Sequence, residues 1–343
     1  MNRFLLILIL FSTLLACEQQ PPEPDPEPLP SLTNRGVFIL NEGNFQRGNA
    51  SLDFYDLAAD TLFRGVFEQA NQRSLGDVLQ SMLIHEGRGY LVVNNSQKIE
   101  VVDPFSLASL GTIEGLTSPR QMYAVSADRA YASDLYAGGV YRVNLNTLEV
   151  EDLVAIPGWN EEMVQVGDRL FIANYDDRYL RQINLDDSLG SIALGLPSAR
   201  GTHLVKDANG DLWLATGASL TDDSPGHLLH IAVGDTIRLL ADYPFPQGQS
   251  PGELTLNGNR DSLFWLNDGV YAMSITATAL PDQPLITDDG LFYGLGVDPE
   301  TSEIFVADAI DYVQQGVVLR HGPRGDLRDE FRVGVIPGAF YFR

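Results

Sequence analysis

From residue 35 onward, apolar and polar positions alternate with a period of two, and long stretches of helical period are absent. Short alternating runs are separated by Gly, Pro, Asn and Asp, which are strand and turn signals. Residues 66 to 82 are the one segment that reads as a short helix. A single phrase recurs, two or three strand formers closed by a small polar residue. It stands as Phe38-Ile39-Leu40-Asn41, Leu91-Val92-Val93-Asn94, Tyr131-Ala132-Ser133-Asp134 and Phe171-Ile172-Ala173-Asn174. It continues as Trp213-Leu214-Ala215-Thr216, Phe264-Trp265-Leu266-Asn267 and Phe305-Val306-Ala307-Asp308. The polar ends are spaced by 53, 40, 40, 42, 51 and 41 residues, so the chain carries seven copies of one unit.

Each copy divides into four strands. In the third they are Gln121 to Ser126, Arg129 to Asp134, Gly139 to Asn144 and Glu149 to Ile156. A four-stranded unit cannot bury both of its faces alone, and closing seven of them into a ring does. The expected fold is therefore all-β, a seven-bladed β-propeller with four-stranded blades over residues 36–343. The first copy starts at Gly36 with a second strand, and the proline-rich segment before it cannot supply an innermost one. The last copy ends in an extra strand, Ile336 to Arg343, so the C-terminal strand is expected to complete the N-terminal blade and remove the open edges.

Ahead of this body, residues 1–16 have a basic head and an apolar run from Phe4 to Ala16, a secretory signal too short for a permanent span. Leu14-Leu15-Ala16-Cys17 resembles the bacterial lipobox, which makes Cys17 the acylated first residue of the mature protein. Residues 17–35 then form a stalk in which prolines alternate with acids, an extended polyproline segment that cannot join a core. With one cysteine in the chain, no intramolecular disulfide can form.

Charge removes several classes of function. There are 22 Lys and Arg against 46 Asp and Glu, a net charge of −24, and no basic run, so neither nucleic acid nor a polybasic membrane contact is expected. The propeller's second-to-third-strand loops and its crossing loops share one face around the central channel. Asn41, Asn94, Asp134, Asn174, Thr216, Asn267 and Asp308 form a ring there. They read either as turn residues that bond their own backbone or as hydrogen-bonding groups facing a ligand. Variable loops on that face carry Glu42 to Asn49, Tyr136, Tyr175 to Arg178, Gly217 to Gly226 and Asp311 to Gln315. The crossing loops add Arg120, Trp159 with Asn160, Arg200, Gln247 to Ser250, and Asp288 with Asp289. Tyr, Trp and Arg on exposed loops are anchor residues for binding, and Tyr136, Trp159, Tyr175, Arg120, Arg178 and Arg200 are the candidates. Phe38, Phe171, Phe305, Trp213 and Trp265 read as core.

Catalytic signals are weak. Gly248-Gln249-Ser250-Pro251-Gly252 matches G-x-S-x-G, but a strand follows where a nucleophile elbow needs a helix. The five histidines are scattered, with no zinc-type spacing, and the Asp pairs (176-177, 186-187, 222-223, 288-289) lack the dense oxygen ligands of a calcium loop, although calcium is not excluded.

Gly36 to Asn44, followed by Gly48-Asn49-Ala50-Ser51-Leu52-Asp53-Phe54-Tyr55 and Leu75-Gly76-Asp77, resembles the opening blade of YncE-like surface lipoproteins of Bacteroidota. The likeness runs over residues 36 to 343. It implies an outer-membrane lipoprotein, exposed at the cell surface, that captures cobalamin or another corrinoid and delivers it to a TonB-dependent transporter. No resident cofactor is expected. The resemblance transfers no individual site residue. The alternatives are a metal-dependent lactonase-like hydrolase, with Asn, Asp or Glu42 holding a divalent ion at the channel mouth, and a protein-binding scaffold on the envelope.

Overall fold

The recurring triplets are apolar at consecutive positions because a blade's second strand is covered on both faces. Gly36–Asn41 is buried at every residue, and Tyr90 to Val93, Leu170 to Asn174 and Ile304 to Ala307 are buried likewise. The computed structural model describes residues 32–186, 189–218, 224–287 and 290–343. The signal segment, Cys17 and the stalk up to residue 31 lie outside the described residues, as do 187–188, 219–223 and 288–289.

Seven antiparallel sheets stand around a ring. Their innermost strands are Pro337–Phe342, Leu79–His85, Pro119–Ala124, Asn160–Val166, Gly201–Lys206, Leu254–Leu256 and Phe292–Val297. The chain closes as the sequence requires: Pro337–Phe342 pairs with Gly36–Asn41, Phe38 lying opposite Tyr341, so the last strand is the innermost strand of the first blade. Hydrophobic clusters fill the gaps between blades. One joins Trp213, Ala215 and Leu228 to Leu254, Leu263 and Trp265, and another joins Val37, Ile39 and Tyr55 to Phe305 and Val318. The five aromatics assigned to the core are all at least nine-tenths buried.

Two local features differ from the sequence pattern. The helix is a single short one, Val66–Asn71, stopped by Gln72 in a left-handed conformation. Residues 79–85 are instead the innermost strand of the second blade, with Leu79 and Ser81 turned inward. Val78, at φ 64°, and Gly76, at φ 140°, break the chain between helix and strand. The sixth blade has three strands among the described residues, Leu254–Leu256, Ser262–Leu266 and Val270–Ser274. Where a fourth would run, Pro281 and Pro284 remove ladder donors, and only a bridge between Val270 and Ile286 forms. No helix among the described residues is long and apolar enough to cross a membrane.

Candidate functional site

The seven polar strand ends are placed as a ring, and their side chains are largely spent on the fold. Asp134 is fully buried; its Oδ2 accepts the amides of Thr117 (3.1 Å) and Ser118 (2.6 Å), and its Oδ1 those of Tyr136 and Ala137 (both 2.9 Å). One carboxylate thus ties the blade's own turn to the loop arriving from the previous blade. Asn174 works alike: its Nδ2 donates to Pro157 O and Asn160 Oδ1, and its Oδ1 accepts from Asp176 and Asp177. Asn94 donates to Ser118 Oγ and Pro119 O, Thr216 pairs with Ser198 Oγ and His227 N, and Asp308 Oδ1 accepts from Leu291 and Ile310. Asn41 donates to Asp53 and Ser51, while Asn267, less buried, donates to Gln249 Oε1. These are Asx and capping bonds that fix loop geometry.

On the loop face, four residues singled out in the sequence come together. Trp159, in the crossing from the third to the fourth blade, stacks on Tyr175 with ring centroids 5.1 Å apart and planes 23° from parallel. Tyr136 meets the indole edge-on at 5.8 Å, and the Arg200 guanidinium lies 5.2 Å from the Tyr175 centroid. The ladder Tyr136, Trp159, Tyr175, Arg200 therefore spans three blades. Asp176 Oδ2 holds the Trp159 amide (3.1 Å), and the Arg200 guanidinium donates to Ala218 O. Tyr136 is 64% exposed, at the solvent end of the ladder. Arg178 is exposed on the same loop as Tyr175.

Arg120, expected on an exposed crossing loop, lies instead in the central channel on the strand Pro119–Ala124. A cavity of about 140 Å³ there is lined by Glu42, Gln80, Arg120, Gln121, Glu161, Glu162, Thr202, His203, Glu253 and Tyr293. The polar doublets among them have a backbone cause. Near the start of six of the seven inner strands, Leu254–Leu256 being the exception, the pairing slips: between Pro337 and Ala339, Leu79 and Ser81, Pro119 and Met122, Asn160 and Met163, Gly201 and His203, and Phe292 and Gly294. A β-bulge places two successive residues against one partner, so neighbours that would otherwise face opposite sides both line the channel. Polar pairs such as Glu161-Glu162 and Thr202-His203, straight after Asn160 and Gly201, were the readable signal for this site.

Inside the channel the charges are linked. Arg120 Nε donates to Glu161 Oε2 at 2.8 Å, and its terminal nitrogen to Gln80 Oε1. His203 sits between two carboxylates, with Nδ1 3.2 Å from Glu162 Oε1 and Nε2 3.7 Å from Glu253 Oε1. Tyr293 donates its hydroxyl to Glu42 at 3.2 Å. Desolvation raises the Glu253 carboxyl to about 7, helped by the charges of Glu162 and Glu42 and opposed by His203 and Arg120. Burial likewise raises Glu42. Desolvation works to lower His203, but Glu253 and Glu162 outweigh it and raise the imidazole to about 9.

A further cluster lies at the first turn of the fifth blade, where Asp207, Asp211 and His230 bring one ligand atom each within 4.8 Å of one another. Asp207 Oδ2 already accepts the Trp213 indole N–H (3.0 Å), its Oδ1 accepts backbone amides of Asn209 and Asp211, and His230 stacks on Trp213 at 4.2 Å. The group is accounted for as a support of the buried Trp213. Sequence spacing missed it because its members come from a turn and a strand 19 residues further on. Ser250, within the G-x-S-x-G match, is followed by the strand Leu254–Leu256, as the sequence indicated.

A family model described as a domain of unknown function, DUF5074, matches residues 35–316. No curated protein matches the chain. Among solved structures, the chain is similar to a quinoprotein alcohol dehydrogenase-like protein of Bacteroides thetaiotaomicron, at 11% identity over 91% of this chain and 79% of that one, TM-score 0.70. It is also similar to the periplasmic gluconolactonase of Pseudomonas aeruginosa, at 13% identity over 90% and 98%, TM-score 0.66. A protein of Lactobacillus plantarum matches at 16% identity over 90% and 99%, TM-score 0.65. At these identities the likeness is one of fold.

Proposed function

The chain belongs to the DUF5074 family, and from that premise we propose that it is a non-catalytic binding protein of the cell envelope that captures a small ligand on its loop face. The observation that carries this reading is the ladder of Tyr136, Trp159, Tyr175 and Arg200. Asp134 and Asp176 fix the loop backbone at the Tyr136 and Trp159 amides, and the rings brace one another, so little freedom is lost when a ligand settles on them. The exposed Tyr136 ring, the edges of the stacked rings behind it and a guanidinium at the far end suit a broad ligand fringed with hydrogen-bonding groups.

The leading ligand class is a corrinoid such as cobalamin, a flat macrocycle with peripheral amides. The resemblance of the first blade to surface lipoproteins supports this class. On this reading Cys17 anchors the protein in the outer membrane, the acidic stalk spaces it from the lipid surface, and a TonB-dependent transporter receives the ligand. Purified protein mixed with cyanocobalamin and passed through gel filtration should carry the red colour in its own peak. Trp159→Ala should weaken binding by at least about tenfold, because the indole joins Tyr136 to Tyr175 and its loss frees both rings. Absence of co-migration at micromolar concentrations removes the corrinoid assignment.

A further inference from the structure

We propose that the channel cavity beneath the loop face is a second, independent binding site, which takes a short aliphatic amine in its ammonium or diammonium form. Four carboxylates line the cavity, those of Glu42, Glu161, Glu162 and Glu253, against two cationic groups, Arg120 and His203. The compensation is uneven. Arg120 is bonded to Glu161, and His203 is closest to Glu162, whose other oxygen accepts the Leu204 amide at 2.7 Å. Glu253 accepts no side-chain hydrogen bond among the described residues, and its nearest cation is His203 at 3.7 Å. Among the described residues Glu42 has one hydrogen-bond donor, the Tyr293 hydroxyl. Two carboxylates thus face a narrow polar cavity with acceptor capacity left over for the donors of an entering ligand, in exchange for water. Desolvation raises both carboxyls, with the charges of Glu162 and Glu42 adding to the effect on Glu253.

The geometry selects among cations. A bare divalent ion needs several oxygens converging on one point at about 2.3–2.6 Å. The channel carboxylates do not converge in that way: among the described residues, the group whose acid and imidazole atoms fall within 4.8 Å of one another is Asp207, Asp211 and His230, outside the channel. An ammonium group instead carries three donors that can reach separated acceptors. The cavity, at about 140 Å³, equals roughly four to five water volumes, the size of a three-carbon amine. A diammonium ion would also match the surplus of two negative charges.

Isothermal titration of the purified protein with 1,3-diaminopropane and with propylamine at pH 8 tests the assignment. Saturable binding is expected, weakened at least about tenfold in Glu253→Gln and in Glu42→Gln. Trp159→Ala should leave it unchanged, which separates this site from the loop-face ladder. Each variant's thermal transition reports whether it is folded, and a rise of the wild-type melting temperature with added diamine gives a reading that needs no variant. No saturable binding of either amine at millimolar concentrations overturns the proposal. So does binding that both Gln variants retain, or binding of Ca²⁺ with none of the amines.

Discussion

At the scale of single residues, the outcome for each polar side chain follows from where its backbone places it. Asp134 accepts four amides and stitches two loops together, whereas Glu253, in the channel, accepts none from a neighbouring side chain. The second kind of residue leaves a signature in stability against pH. Burial raises Glu253 from 4.5 to about 7, and its carboxylate neighbours raise His203 from 6.5 to about 9. For both groups the folded protein binds more protons than the unfolded chain. Stability is therefore lost as pH rises, through Glu253 from about 4.5 to 7 and through His203 from about 6.5 to 9. Glu100, Asp103 and Asp298 are lowered despite desolvation or helped by backbone bonds, so their contribution is lost at acid pH instead. The melting temperature should fall between about pH 5 and 9. Glu253→Gln should flatten the lower half of that fall and move the His203 part to lower pH, because one of the two carboxylates facing the imidazole is gone. An unchanged slope in the variant would show that Glu253 is not the group responsible.

At the scale of strands, the repeat was legible because blade packing imposes it. Tyr131-Ala132-Ser133-Asp134 and its counterparts are buried runs closed by a turn residue, and both halves of that pattern can be read without coordinates. The bulges were not legible, since a slip in pairing is set by the partner strand, so the polar doublets could be read in the sequence but not their turn into the channel. The helix over 66 to 82 was overextended for a related reason. Leu79 to His85 is apolar enough for either structure, and pairing with Arg88–Val93 decides for a strand. Closure is the element-level property most open to test. A chain ending at Val335 loses the strand that covers Gly36–Asn41 and should melt more than about 10 °C below the full chain by circular dichroism, or lose its cooperative transition. A transition within about 2 °C of the full chain's would mean that closure contributes little.

At the scale of the whole molecule, strand direction fixes an orientation. Gly36–Asn41 runs toward the loop face, so the chain enters the propeller at the opposite face. The entry is clamped: Leu32 is buried with its amide on Phe105 O, Asn34 donates to Asp56, and Arg35 pairs with Asp298 and Glu300. A lipid on Cys17 would accordingly hold the ladder and channel mouth away from the membrane. With Tyr136→Cys, a membrane-impermeant maleimide should label intact cells if the protein is on the cell surface. Labelling only after the outer membrane is opened would place it in the periplasm and remove the surface-capture reading.

The sequence by itself determined the seven units, the joining of the chain's two ends in one blade, and the aromatic identity of the loop-face anchors. Each of these is recorded in local periodicity or in the side chain itself. Tertiary structure decided what no local pattern contains: that Tyr136, Trp159, Tyr175 and Arg200 from three blades form one ladder, and that Arg120 turns into the channel. It also decided that four carboxylates, from the loop after Gly36–Asn41, the strand Asn160–Val166 and the loop before Leu254–Leu256, share one cavity with only two cationic groups. Contacts between blades depend on ring closure and on the slips of the inner strands, and both are settled only when every blade is in place.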